Sequence, residues 1–206
     1  MPRSVDIDER RQALTDAAAR LIARSGLGAA TMREVAAEAG LTTGGLTHYF
    51  ADKRELLQCT LQASLHRRIA RRAVVDPGDP LDVLRASLQG ALVIDEDSRR
   101  HWMVTVAFCA EAAGDAELAT TQRDAYREFR AHVTALVRLC APDSDASRIA
   151  EQLIASADGI ALQALFDGES WPPDRQRAAL DAALQAVFGA QMEGAGRVVL
   201  TSPFGG

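Results

Sequence analysis

Apolar residues return at spacings of three and four along almost the whole chain, and no apolar-polar alternation lasts long enough for a strand. That is the period of amphipathic helices, so the expected class is all-α. The first helix carries Leu14, Ala17, Ala18, Leu21 and Ile22 on one face and ends at Gly26 and Gly28. Thr31 and Glu34 form a capping-box pair that opens a short second helix through Glu38, and Gly40 stops it. Thr42 caps a third short helix, and Asp52 with Glu55 opens a fourth that reaches about Ala73. Asp76, Pro77, Gly78 and Asp79 break it. Asp79 then caps a fifth helix, with Pro80 in its first position, running to about Ile94.

The same reading places a sixth helix from about Ser98 to Ala113, a seventh from Ala116 to Leu139 and an eighth from about Ser144 to Phe166. A ninth follows Trp171, Pro172 and Pro173 and ends near Phe188. Four parts are expected: a helix-turn-helix head over 1–52, a connecting helix over 53–76, a larger helical body over 77–190 and a flexible tail over 191–206.

Charge divides the chain along the same line. Of 23 Lys and Arg against 28 Asp and Glu, residues 1–75 hold 12 against 8, so a basic head sits on an acidic body. Such an asymmetry suits a protein with one end on a polyanion. Met1 to Arg11 are polar, and no apolar run approaches the ~18 residues of a membrane span, so a cytoplasmic protein with no membrane partner is expected. Cys59, Cys109 and Cys140 are scattered and read as small apolar residues rather than as metal ligands. The histidines, His48, His66, His101 and His132, form no paired Glu-x-x-His or H-E-x-x-H motif, so neither catalysis nor a metal or cofactor is expected.

The informative stretch is Thr31 to Leu56. Ala36 sits where two short helices approach, Gly40 at a turn that needs positive φ, and Leu46 where it can fill the angle between them. The second of these helices is too polar for core, being dominated by Thr42, Thr43, Gly44, Gly45, Thr47 and His48. Two helical glycines cost roughly 1 kcal/mol each relative to alanine. A close approach to another surface, such as a groove floor, accounts for that cost, whereas a plain polar loop plugged by Tyr49 and Phe50 does not.

Those residues, with His48-Tyr49-Phe50 and Lys53, resemble the DNA-binding signature of the TetR family of transcriptional regulators. His101 to Ala112 and Leu153 to Leu180 resemble its BetI-like branch. Many family members carry Tyr where this chain has Thr47. The resemblance implies a palindromic operator, a homodimer and a small organic effector, with repression as the usual mode. It implies DNA contacts from Thr31, Arg33, Thr42, Thr43, Gly44, Gly45, Thr47, His48, Tyr49 and Lys53. The run Arg67, Arg68, Arg71 and Arg72 reads instead as a helix C-terminus complemented by positive charge.

In the body, apolar stripes at Ile149, Leu153 and Ile160 and at Leu180, Leu184 and Val187 suit either core or a dimer interface by period alone. The resemblance selects the interface. Trp102, Val106 and Cys109 share one face of the sixth helix, Tyr126 and Phe129 one face of the seventh, and Asp158 is a carboxylate among small residues. These six are the expected effector pocket, with aromatic faces and a counter-charge that suit a cation, or with apolar walls that suit a neutral molecule. A helical interaction or sensor protein without DNA binding, or an activator, is the alternative. Its mark in the first case would be acidic or bulky residues in the recognition helix, and none is present.

Overall fold

The computed structural model describes residues 4–70 and 78–195, with side chains at 7–64 and 78–189. Among the described residues there are nine α-helices, one 3-10 turn and no strand. In chain order they are α1 (Ser4–Ser25), the 3-10 turn (Leu27–Ala29), α2 (Met32–Glu38), α3 (Thr43–Leu46), α4 (Lys53–Ala70) and α5 (Pro80–Gln89). Then come α6 (Glu96–Ala112), α7 (Ala116–Cys140), α8 (Ala146–Phe166) and α9 (Pro173–Ala195). The break at Asp76 and Pro77, the side chains of the Arg67 to Arg72 run and the tail beyond Ala195 lie outside the described residues.

Side chains set most of the starts. Asp79 accepts from Leu81 N, Asp115 from Glu117 and Leu118 N, and Asp145 from Arg148 N, so each helix begins where a short acid satisfies its free amides. Several boundaries differ from the sequence reading. Helix α6 starts at Glu96 because Asp95 is its cap and Ser98 is the reciprocal partner three residues in, not the cap itself. Helix α5 ends at Gln89, and Ala91 and Leu92 are buried in the turn that follows. Helix α9 continues through Gly189 to Ala195, since an interior glycine weakens a helix without ending it.

Two cores result. The first gathers Leu14, Ala18 and Ile22 of α1, Val35 and Ala36 of α2, Leu46, Phe50, and Leu56 and Leu61 of α4. It also takes in Val104 and Phe108 of α6 and Leu118 of α7, so the head (α1 to α4) and the body (α5 to α9) share buried surface. The second core joins α5, α7, α8 and α9 around Leu88, Phe129, Val133, Leu153 and Leu184.

The body's stripes go to this second core. Leu153, Leu180 and Leu184 are at most 1% exposed, Ile149 and Ile160 are buried, and Val187 is half-buried against them. Five of these six side chains are thus covered by their own protomer, and Val187 stays partly open. The faces of the same helices left to solvent carry Ala155, Gly159, Leu162 and Phe166 on α8 and Ala178 and Ala182 on α9. Leu162 and Phe166 are large apolar residues in the open, 42% and 75% exposed.

Candidate DNA interface and effector cluster

The turn between α2 and α3 is a Schellman closure. Gly40, at φ +70, donates to Ala37 O at 3.1 Å, and Leu41 N donates to Ala36 O at 2.8 Å. Positive φ here is cheap only for glycine. Ala36 is 1% exposed and Leu46 fully buried, so small residue, turn and plug stand as the spacing predicts. Thr42 Oγ1 accepts from Gly45 N at 3.1 Å and starts α3.

Helix α3 is nearly all surface. Thr42, Thr43, Gly44, Thr47 and His48 are exposed, Gly45 and Tyr49 half-buried, and only Leu46 turns inward. Thr47 Oγ1 donates to Gly44 O at 2.8 Å, which tightens the end of the helix and leaves the oxygen free to accept. A Cβ at Gly44 would have only Thr42 Oγ1 nearby, at 4.0 Å. Packing within the chain therefore does not require that glycine.

On α2, Thr31 Oγ1 accepts from Glu34 N at 3.2 Å and also donates to the Glu34 carboxylate. The reciprocal half of the expected capping box is replaced by this hydroxyl contact, with Thr31 N bound to Ala29 O. Arg33, its side chain 82% exposed, is the group α2 extends outward. Lys53 is half-buried at the start of α4, beside the end of the recognition segment.

Arg11 is the positioning residue that sequence reading missed. Its guanidinium lies 4.4 Å from the Phe50 ring centroid, donates to Tyr49 O, pairs with Glu55 Oε1 at 3.0 Å and reaches Cys59 Sγ at 3.4 Å. The Glu55 bond raises the Arg11 pKa most, and Glu55 is held low by the Ala51 amide and then by Arg11. One side chain of α1 so pins the exit of the recognition segment to α4. The signal was present: an arginine three residues before Leu14, on the buried face of its helix. Arg20 and Arg24 make a second staple to Glu38, at 3.1 and 3.0 Å, fixing α1 to α2.

In the body the expected pocket divides. Trp102 and Phe129 are each 4% exposed and serve as core, with Trp102 Nε1 donating to Ala91 O at 2.7 Å. Their rings therefore present no open face to a ligand. Tyr126 and Asp158 do come together, with Tyr126 Oη donating to Asp158 Oδ2 at 3.0 Å. Val106 is half-buried and Cys109 exposed. Gln122, which sequence reading passed over, is buried beside Cys109, and Ser64 Oγ meets His101 Nδ1 at 2.6 Å between α4 and α6. The Cys109 thiol is raised by partial desolvation of its sulfur and then by Asp158, and Cys140 is pushed up to about 11 by burial and then by Asp79. Neither is the low-pKa thiol that a redox sensor uses.

Among the described residues no group of three His, Cys, Asp or Glu side chains could hold a metal, and no helix is long and apolar enough to cross a membrane. Residues 14–59 match the family model for bacterial regulatory proteins of the tetR family, and residues 80–189 match that for the C-terminal part of BetI-type transcriptional repressors. The HTH-type transcriptional regulator BetI of Agrobacterium fabrum is 35% identical over 157 residues, 75% of this chain and 76% of its own. The HTH-type regulator PksA of Bacillus subtilis is 31% identical, covering 81% and 84%. A transcriptional regulator from Rhodococcus sp. Rha1 superposes with a TM-score of 0.78 at 31% identity, over 87% of this chain and 96% of that one. A regulator from Saccharomonospora viridis, solved in complex with choline, has the same fold at 22% identity and TM-score 0.74, covering 86% and 96%. The chain belongs to the TetR family of helix-turn-helix transcriptional regulators, a non-enzymatic class, with a body of the BetI type.

Proposed function

We propose that this protein is a repressor that holds a palindromic operator as a homodimer and releases it when a small organic molecule enters the body. The observation that carries the DNA half is α3, an exposed, capped helix whose polar residues and Gly44 have no packing task of their own. In this reading Thr42, Thr43, Gly44 and Gly45 face the major groove, and Thr31, Arg33, Thr47, His48, Tyr49 and Lys53 meet phosphates or base edges. The two protomers meet through the outer faces of α8 and α9, where Leu162 and Phe166 otherwise stand in water. The effector site lies at Cys109, Tyr126 and Asp158, with Val106 beside it; the choline complex of a regulator with the same fold supports a small organic ligand.

The test is a shift assay on the protein's own promoter fragment. Affinity falls steeply with salt, because phosphate contacts release counterions. Half-site centres fall a whole number of helical turns apart, each ~34–36 Å. Lys53→Ala weakens binding to all sequences alike, whereas Thr43→Ala changes which bases are preferred. Binding to the promoter that is no tighter than to random duplex, at every salt concentration, refutes the proposal.

A further inference from the structure

Three helices of the body bring four side chains around one point. Gln122 and Tyr126 lie one turn apart on α7, Cys109 is on α6 and Asp158 on α8. Gln122 Nε2 donates to Cys109 Sγ at 3.7 Å, and Tyr126 Oη donates to Asp158 Oδ2 at 3.0 Å. The ring is graded in depth: Cys109 is exposed, Tyr126 and Asp158 are half-buried, and Gln122 at the bottom is 9% exposed. The Gln122 Oε1 atom is buried with no hydrogen-bond partner. A buried amide carbonyl without a donor costs free energy that a bound donor recovers. Nothing in the DNA-binding reading uses it.

Two acceptors, one neutral and one carboxylate, select the chemistry. A fully methylated ammonium has no N–H to give them and is held by open aromatic faces. Those faces are not offered here. Phe108 is fully buried, Trp102 and Phe129 are nearly so, and Tyr126 is a single half-open ring with its hydroxyl turned to Asp158. Resting on the reading that the body holds an effector, we infer that the effector is a cation bearing N–H donors, a primary ammonium or a guanidinium. Its nitrogen is held between Gln122 Oε1 and the Asp158 carboxylate, and its hydrocarbon part lies against Val106. The site therefore discriminates against choline-like cations, although the fold is shared with a choline-bound regulator.

The experiment is calorimetric titration of the full-length protein with hexylammonium, hexylguanidinium, hexyltrimethylammonium and hexanoate, alongside promoter-fragment binding by the ligand-free protein. The two N–H cations bind at least about ten-fold more tightly than the trimethyl compound, and hexanoate does not bind, as expected for loss of a charge-assisted hydrogen bond. Asp158→Asn and Gln122→Leu each weaken the N–H cations by roughly ten-fold or more. Gln122→Glu, which keeps the shape and adds charge, tightens them and guards against a variant that merely misfolds. Equal or tighter binding of hexyltrimethylammonium, preference for hexanoate, failure of both N–H cations to bind, or indifference to all three substitutions overturns the inference. Intact promoter binding with no cation bound condemns the ligand class alone; absence of promoter binding condemns the functional reading beneath it.

Discussion

Helices α3 and α8 use their sequences in opposite ways. In α3 only Leu46 is buried, and Thr43 and Gly44 stand exposed with no contact that folding requires. In α8 nearly half the residues are buried, and the apolar stripe that caught the eye is consumed by the protomer's own core. Surplus polarity on a short helix points outward to a partner, because folding has no other use for it. Surplus apolarity is spent on folding first, so a partner surface must be sought in what remains. On α8 that remainder is Ala155, Gly159, Leu162 and Phe166.

The strongest way to break this contrast is to truncate the buried stripe. Leu153→Ala is expected to lower the unfolding free energy by about 2–5 kcal/mol in urea titration, the range for a leucine lost from a close-packed core. A loss under about 1 kcal/mol would return Leu153 to the surface role that its period allows. Phe166→Ser, on the outer face, should change unfolding of the protomer by less than about 0.5 kcal/mol. Sedimentation should nonetheless show it shifted toward monomer.

A smaller effect sharpens the other side. Gly40→Ala forces a Cβ into positive φ and should cost about 1–2 kcal/mol, seen as a lower Tm with operator affinity falling in proportion to the misplaced α3. Gly44→Ala should do the reverse to stability. With open space around its Cβ, alanine should raise helix stability by up to about 1 kcal/mol. Operator affinity should still fall by about 1–3 kcal/mol, because a methyl now stands between backbone and groove. A variant that is both more stable and undiminished on DNA would remove the case for close approach.

The two helices also explain what the sequence disclosed. Ala36, Gly40, Leu46 and the caps at Thr31 and Thr42 were legible because each answers a local steric or hydrogen-bonding demand that few residue types meet. The helical class and most boundaries followed from period and caps. The roles of Leu153, Leu180 and Trp102 were not legible, since a period of 3.6 says which side is apolar and not what covers it. Arg11 and Gln122 escaped for a different reason. Each is a polar residue whose importance lies in partners 38 and 13 positions away; a sequence can show Arg11 on the buried face of its helix, but not what it pairs with there.

The least effect is expected at the α1–α2 staple. Arg24 and then Arg20 hold the Glu38 carboxyl below its ordinary value of 4.5. A carboxyl depressed on folding stabilises above its unfolded pKa and loses that contribution as pH falls through the folded value. Wild type should therefore lose slightly more Tm than Glu38→Gln between about pH 6 and about pH 3, since only it has that charge to lose. Parallel melting curves for the two proteins would show that the exposed pair contributes nothing measurable.

The buried seam formed by Val104, Phe108 and Leu118 bears on how such regulators can be recombined. A head exchanged with a relative's at the junction after α4 would arrive without the three body residues that complete its interior. Such chimaeras should express poorly unless those three positions travel with the transplanted segment. A working hybrid would therefore be cut by contact rather than by chain order, taking the inner face of α6 and the first turn of α7 along with residues 4–70.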